Sequence, residues 1–137
     1  MKKLIIAAAF ILLAGVAYGQ TLKKGNLIGT HVFTVELATG VTMDQYLDFR
    51  LNKFIPEWEK HFKGGRQFLL KGIRGENENE FGLLFYFESE EIRDKYINDD
   101  ESLTKEGEAA LEKISSVREE LLKLGTRTGE YTDWIIQ

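Results

Sequence analysis

The chain has 137 residues, with 18 Lys and Arg against 22 Asp and Glu, a formal net charge of −4 and no cysteine. An acidic chain is repelled by phosphate backbones and anionic lipid, which argues against nucleic acid or a membrane surface as a partner. Without cysteine, a lipid-anchored lipoprotein and a disulfide framework are both excluded, so stability must come from packing alone.

Met1-Lys-Lys3, the apolar run Leu4 to Ala14 and the small-residue stretch Gly15 to Gly19 precede the first polar residue, Gln20. That is the three-part layout of a secretory signal peptide, with Ala17 and Gly19 placing the cut before Gln20. The apolar run is shorter than a comfortable membrane span, so an uncleaved anchor is the weaker reading. Residues 1–19 are expected to be removed on export to the periplasm or beyond the cell, leaving residues 20–137 as a single domain with one core. Lys2 and Lys3 leave with the segment, which makes the mature chain more acidic still.

Leu27 to Leu37 alternates, with Leu27, His31, Phe33, Val35 and Leu37 on one face, and reads as a strand whose second face, through Ile28 and Val32, is partly apolar too. Thr42-Met-Asp-Gln45 fits a capping box, with Val41 and Tyr46 placed for a hydrophobic staple. The helix it starts carries Leu47, Leu51, Phe54, Ile55, Trp58 and Phe62 on one face, with an interruption expected near Pro56 and a stop at Gly64-Gly65. Arg66 to Ile73 and Phe81 to Phe87 read as a hairpin around the polar loop Gly75 to Asn79. Ser89 caps a second helical region, Asn98 to Glu101 breaks it, and Ala110, Ile114, Val117, Leu121 and Leu124 resume the pattern until Gly125. Tyr131 to Ile136 reads as the last strand.

The expected order is thus β-α-β-β-α-β, an α+β arrangement of the ferredoxin-like kind: four antiparallel strands with both helical regions on one face. Phe81, Leu83, Phe85 and Phe87 supply the covered face, whereas Leu84, Tyr86, Ile28, Val32 and Trp134 leave an apolar second face without helices. A second copy packed sheet to sheet would cover it, so a homodimer is expected.

On these residues the chain resembles the dimeric α+β barrel superfamily, over essentially all of residues 20–137. His31-Val-Phe-Thr-Val-Glu-Leu37 followed by Gly40-Val-Thr-Met-Asp-Gln45 is similar to the opening of stress-responsive A/B barrel domains, whose first strand commonly begins with histidine. Cofactor-independent antibiotic-biosynthesis monooxygenases and haem-handling relatives have similar protomers. Pro56 and the acidic interruption at Asn98 to Glu101 depart from the simplest pattern. The resemblance implies an exported, small-ligand-binding barrel. The alternatives are an enzyme of the monooxygenase-like or haem-handling kind, or a structural or partner-binding module with a filled core.

His31 and Asp133 are the candidate catalytic groups, with Asp133 placed to orient His31 if the last strand pairs with the first. His31 and the aromatics Trp58, Tyr86, Tyr131 and Trp134 are the candidate lining of a pocket for a small apolar or aromatic ligand. Each has a plainer use: His31 as a core residue with one satisfied hydrogen bond, Asp133 as a solvated residue of an edge strand, the aromatics as packing. His61 suits the negative end of the first helix dipole, and it shares no local ligand spacing with His31 that would recruit Glu57 or Asp133 to a metal. No phosphate-binding glycine loop, nucleophile motif or zinc signature is present, and no metal or cofactor is expected.

Overall fold

The computed structural model describes residues 22–137. The expected leader, residues 1–19, lies outside the described residues. In β1 (Leu27–Leu37) the alternation persists: Leu27 and Phe33 are buried, Val35 and Leu37 pack on the same core, and Thr34 and Glu36 are exposed. Thr42 then caps a helical segment. Its hydroxyl accepts from the Gln45 amide at 3.3 Å, and the Gln45 side chain accepts from the Thr42 amide at 2.9 Å, the reciprocal pair of a capping box.

The segment runs as α1 (Met43–Phe49), a π-helical turn (Arg50–Phe54) and α2 (Ile55–His61). The expected interruption therefore takes the form of a widened turn. Pro56 offers no N–H to the Asn52 carbonyl, and the Ile55 N–H reaches the Arg50 carbonyl, one residue further back than in an α-helix. Pro56 then falls in the first turn of α2, where a missing N–H costs little. The wide turn also re-phases the helix. Tyr46, Arg50, Phe54, Trp58 and Phe62 recur every fourth residue, a spacing that drifts about 40° per step in a regular α-helix. With the extra residue in the turn, all five remain buried. Leu51, expected on the apolar face, is exposed, and Arg50 takes the buried position beside it.

β2 (Gly65–Lys71) and β3 (Phe81–Phe87) form the hairpin, with Gly75 (φ 98°) and Asn79 (φ 70°) in the left-handed conformations its loop needs. β2 ends before Ile73, which is exposed. Ser89 caps α3 (Glu90–Asp94), accepting from the Ile92 amide at 3.3 Å. A turn at residues 98–102, closed by an Ile97–Leu103 bridge, leads to α4 (Lys105–Lys113) and α5 (Ser115–Leu124). The helical pattern expected to resume after Glu101 and run to Gly125 is thus two helices, parted at Ile114 just before Ser115-Ser116, a residue type of lower helix propensity. The apolar register survives the break, with Ala110, Ile114 and Leu121 buried.

β4 (Gly125–Ile135) starts directly where α5 stops and is 11 residues long, so the last strand begins well before Tyr131. Gly125 ends α5 as expected and opens β4, and both it and Gly129 are strand residues that let two backbones approach. A Cβ at Gly125 would lie 2.8 Å from the Glu36 carbonyl oxygen, and one at Gly129 only 2.0 Å from that of Val32.

The four strands form one antiparallel sheet in the order β2-β3-β1-β4. Odd-numbered residues of the strands face the helices. Leu27, Phe33, Leu83 and Phe87 join Tyr46, Phe54, Ile55, Trp58, Phe62, Ala110, Ile114 and Leu121 in one core. Even-numbered residues form the other face in rows: Arg66, Tyr86, Ile28 and Trp134, then Phe68, Leu84, Thr30 and Thr132, then Leu70, Gly82, Val32 and Glu130. On this face Trp134 is 57 % exposed, Phe68 44 %, Val32 43 % and Leu70 42 %, whereas Ile28 and Tyr86 are buried. Among the described residues no helix is long and apolar enough to cross a membrane.

Candidate functional site

His31 and Tyr131 are directly paired across β1 and β4, as are Gly29 and Asp133, so strand alternation sends His31, Tyr131 and Asp133 to the helix-facing side together. Between them and the α3–α4 connection lies a cavity of about 330 Å³. Phe85 and Arg127 complete its sheet wall, and Arg93, Ile97, Asn98, Asp99 and Glu101 form the other. Gly29 makes the room: a Cβ there would sit 2.2 Å from the Tyr131 hydroxyl. Glu101 holds a left-handed conformation (φ 65°), uncommon for a residue with a side chain, in a turn braced by Asn98 Nδ2 donating to Ser102 Oγ at 2.9 Å.

A polar chain crosses the cavity. The Tyr131 hydroxyl donates to Asp133 Oδ1 at 2.6 Å, Arg93 Nη1 donates to Asp133 Oδ2, and Arg93 Nε donates to Asp94 Oδ1 at 2.6 Å. Burial, reinforced by Asp133, raises the Tyr131 pKa well above that of an ordinary phenol. Tyr131 is therefore a fixed proton donor, and both oxygens of Asp133 are engaged.

His31 has a different partner. Arg127 Nη1 lies 2.7 Å from His31 Nδ1, and since a guanidinium only donates, Nδ1 accepts and the ring proton sits on Nε2. Nε2 is buried and meets no partner in hydrogen-bonding geometry. Burial, then the charges of Arg127 and Arg50, lower the His31 pKa against a smaller opposing pull from the Gly129 backbone. The unfolded chain thus binds this proton more readily than the folded one. The contribution is constant above about pH 6.5 and is lost as the pH falls from there towards the lowered folded value. Urea midpoints measured across pH 7 to pH 5 are expected to fall more steeply for the native chain than for His31→Gln, and parallel profiles would sink the assignment.

Arg50 and Arg127 were missed in the sequence. Arg50 is 2 % exposed, its Nη1 donates to the Tyr46 hydroxyl at 3.2 Å, and its buried Nε has no partner among the described residues. Its guanidinium carbon lies 5.7 Å from the centre of the Phe33 ring and 5.2 Å from that of Phe54, while that of Arg127 lies 5.5 Å from Phe33. Taking an ion out of water costs several kcal/mol. Two ring contacts of about 0.5–2 kcal/mol each and one hydrogen bond from the charged guanidinium to a neutral hydroxyl, about 1.5–3 kcal/mol, recover part of that. Burial, then the Arg50 charge, lowers the Arg127 pKa to about 10. Among the described residues no carboxylate is paired with either guanidinium. The signals were present: Arg50 interrupts the four-residue apolar spacing from Tyr46 to Phe62, and Arg127 shares the parity of Tyr131 and Asp133.

The structure brings His31, Tyr131 and Asp133 into one cavity, although Asp133 orients Tyr131 and Arg93 rather than the imidazole. It does not bring the other candidates there. Trp58 is a core residue, stacked on Phe62 at 4.6 Å and set edge-on to Phe85 and Phe87. Tyr86 and Trp134 have even numbers and lie on the opposite face, where Trp134 Nε1 donates to Thr30 Oγ1 at 2.9 Å. His61 is at the end of α2, 3.7 Å from Glu57. Among the described residues no group of three His, Asp or Glu is arranged to hold a metal ion. No family model matches the chain, and neither a curated protein nor a solved structure matches it significantly.

Proposed function

We propose that the protein is an exported homodimer that binds a small organic ligand in the cavity between β1, β4 and the α3–α4 connection. The cavity itself carries the reading: about 330 Å³ is the size of a small-molecule site, and it has the expected mixture of apolar walls and a few fixed polar groups. Phe85 and Ile97 supply the apolar part. Tyr131, Asp133, Arg93 and the His31–Arg127 pair supply polarity in fixed orientations. Binding fits these groups better than acid–base catalysis does, because the His31 Nδ1 lone pair is engaged by Arg127 and the Tyr131 proton by Asp133.

The protomer is of the ferredoxin-like kind, similar to those of dimeric α+β barrels. The strand order, with β1 and β3 central and β2 and β4 at the edges, supports this. A second copy is the occupant proposed for the even-numbered face, since among the described residues no helix lies over its apolar rows. Export rests on the layout of residues 1–19.

Native mass spectrometry of the purified chain tests both halves. The expected result is a mass of two chains with a small molecule that is released on denaturation. Asp133→Asn weakens the charge on which Arg93 and Tyr131 converge and should lower ligand retention by about tenfold or more. A bare single chain under gentle conditions overturns the reading.

A further inference from the structure

The cavity at the other end of β4, about 370 Å³ in volume, is bounded by Arg50, Arg118 and Arg127 together with Tyr46, Phe54 and Leu121. Three guanidiniums converge on it, and among the described residues no Asp or Glu lines it. In a chain with more acidic than basic residues, that separation of charge is not what chance placement gives. Arg50 makes the case sharper. It is almost fully buried, and among the described residues its Nε has no partner and its one side-chain hydrogen bond goes to the neutral hydroxyl of Tyr46. Contact with the Phe33 and Phe54 rings softens the loss of hydration without cancelling charge. Arg127, beside the same Phe33 ring, repels Arg50 rather than relieving it.

We infer that this cavity is an anion site, in which Arg50 and Arg127 grip the oxyanion of a small organic acid from below, Arg118 closes on it from the rim, and Phe54 and Leu121 receive its apolar body. Planar guanidiniums match the two oxygens of a carboxylate or the face of a phosphate, and a desolvated pair binds such groups more tightly than exposed lysines do. The site is separate from the proposed ligand cavity. Arg127 lines both, but Arg50 and Arg118 line only this one.

Thermal melting of the full chain in chloride, inorganic phosphate or benzoate at matched ionic strength tests the inference. Saturable stabilisation by an oxyanion is expected, reaching about 10 °C at a hundredfold excess over Kd. A larger shift with benzoate identifies an organic acid, and an equal or larger one with phosphate a free inorganic oxyanion. Arg50→Met should melt no lower than the native chain in chloride, because it removes an uncompensated buried charge, yet should lose the anion response. Arg118→Gln, at an exposed helix position, keeps the fold and should weaken the response several-fold. Both variants should still retain any small molecule held by the Tyr131–Asp133 cavity. The inference is overturned if neither anion exceeds chloride, or if the shift persists undiminished in both variants.

Discussion

Phe87→Ala should destabilise the protein by about 3–5 kcal/mol, the range for removing a fully buried ring. Phe87 is 0 % exposed and lies on β3, one of the two central strands, with Leu27 on one side and Gly65 on the other. Its ring meets the edge of Trp58 at a centroid distance of 6.1 Å. Gly65 explains why the void would not close. A Cβ there would lie 2.9 Å from the Phe87 ring and 2.8 Å from that of Trp58, so β2 contributes no side chain at this point and relies on the two rings to fill the space. Once the Phe87 ring is gone, Trp58 is the remaining ring over Gly65, and it is held by its stack on Phe62. Single domains have about 5–15 kcal/mol in hand, so the variant should be partly unfolded at modest urea concentrations. Ile73→Ala, at an exposed residue beyond the end of β2, should fall within about 0.5 kcal/mol of the native chain. Urea midpoints that fail to separate the two variants would contradict this account of the core.

Periodicity made most of the fold legible in the sequence. The capping box at Thr42, the Ser89 cap, the hairpin and the odd-numbered core of β3 all follow from local chemistry, and each is where the residues put it. Errors arose where one residue type served two purposes. Gly125 could be read as the end of α5, but the close approach of β4 to β1 at Gly125 and Gly129 is a tertiary demand that no window of sequence reveals, so the last strand was expected only from Tyr131. Leu51 and Arg50 exchanged expected environments because a π-helical turn changed the helical phase in advance of Pro56. The site was half visible. His31 and Asp133 could be named as polar residues in apolar strands. Tyr131 could be named as an aromatic of the last strand, whereas Arg93 and Arg127 join the group only through the register of β1 with β4 and the fold-back of the α3–α4 connection.

The even-numbered sheet face yields the prediction of largest effect on assembly. Val32→Lys combined with Phe68→Lys should turn the proposed dimer into a folded monomer. Within one protomer both positions are substantially exposed, so lysine should change folding stability by no more than about 0.5 kcal/mol per site. Val32 lies directly opposite Glu130, which gives a new ammonium a solvated partner in the isolated subunit. Phe68 is flanked by Leu84 and has no acid in its row, so a lysine there would have to be buried unpaired beneath a second sheet. An uncompensated buried charge costs about 3–5 kcal/mol, and the two-fold relation of the copies imposes it twice, so the dimer dissociation constant should rise by at least about 10³. Sedimentation equilibrium reports the subunit number, and circular dichroism with a urea midpoint reports the fold. A native chain that is dimeric and a double variant that remains so would place the interface elsewhere, whereas a variant that unfolds would mean that these side chains belong to the protomer's own core.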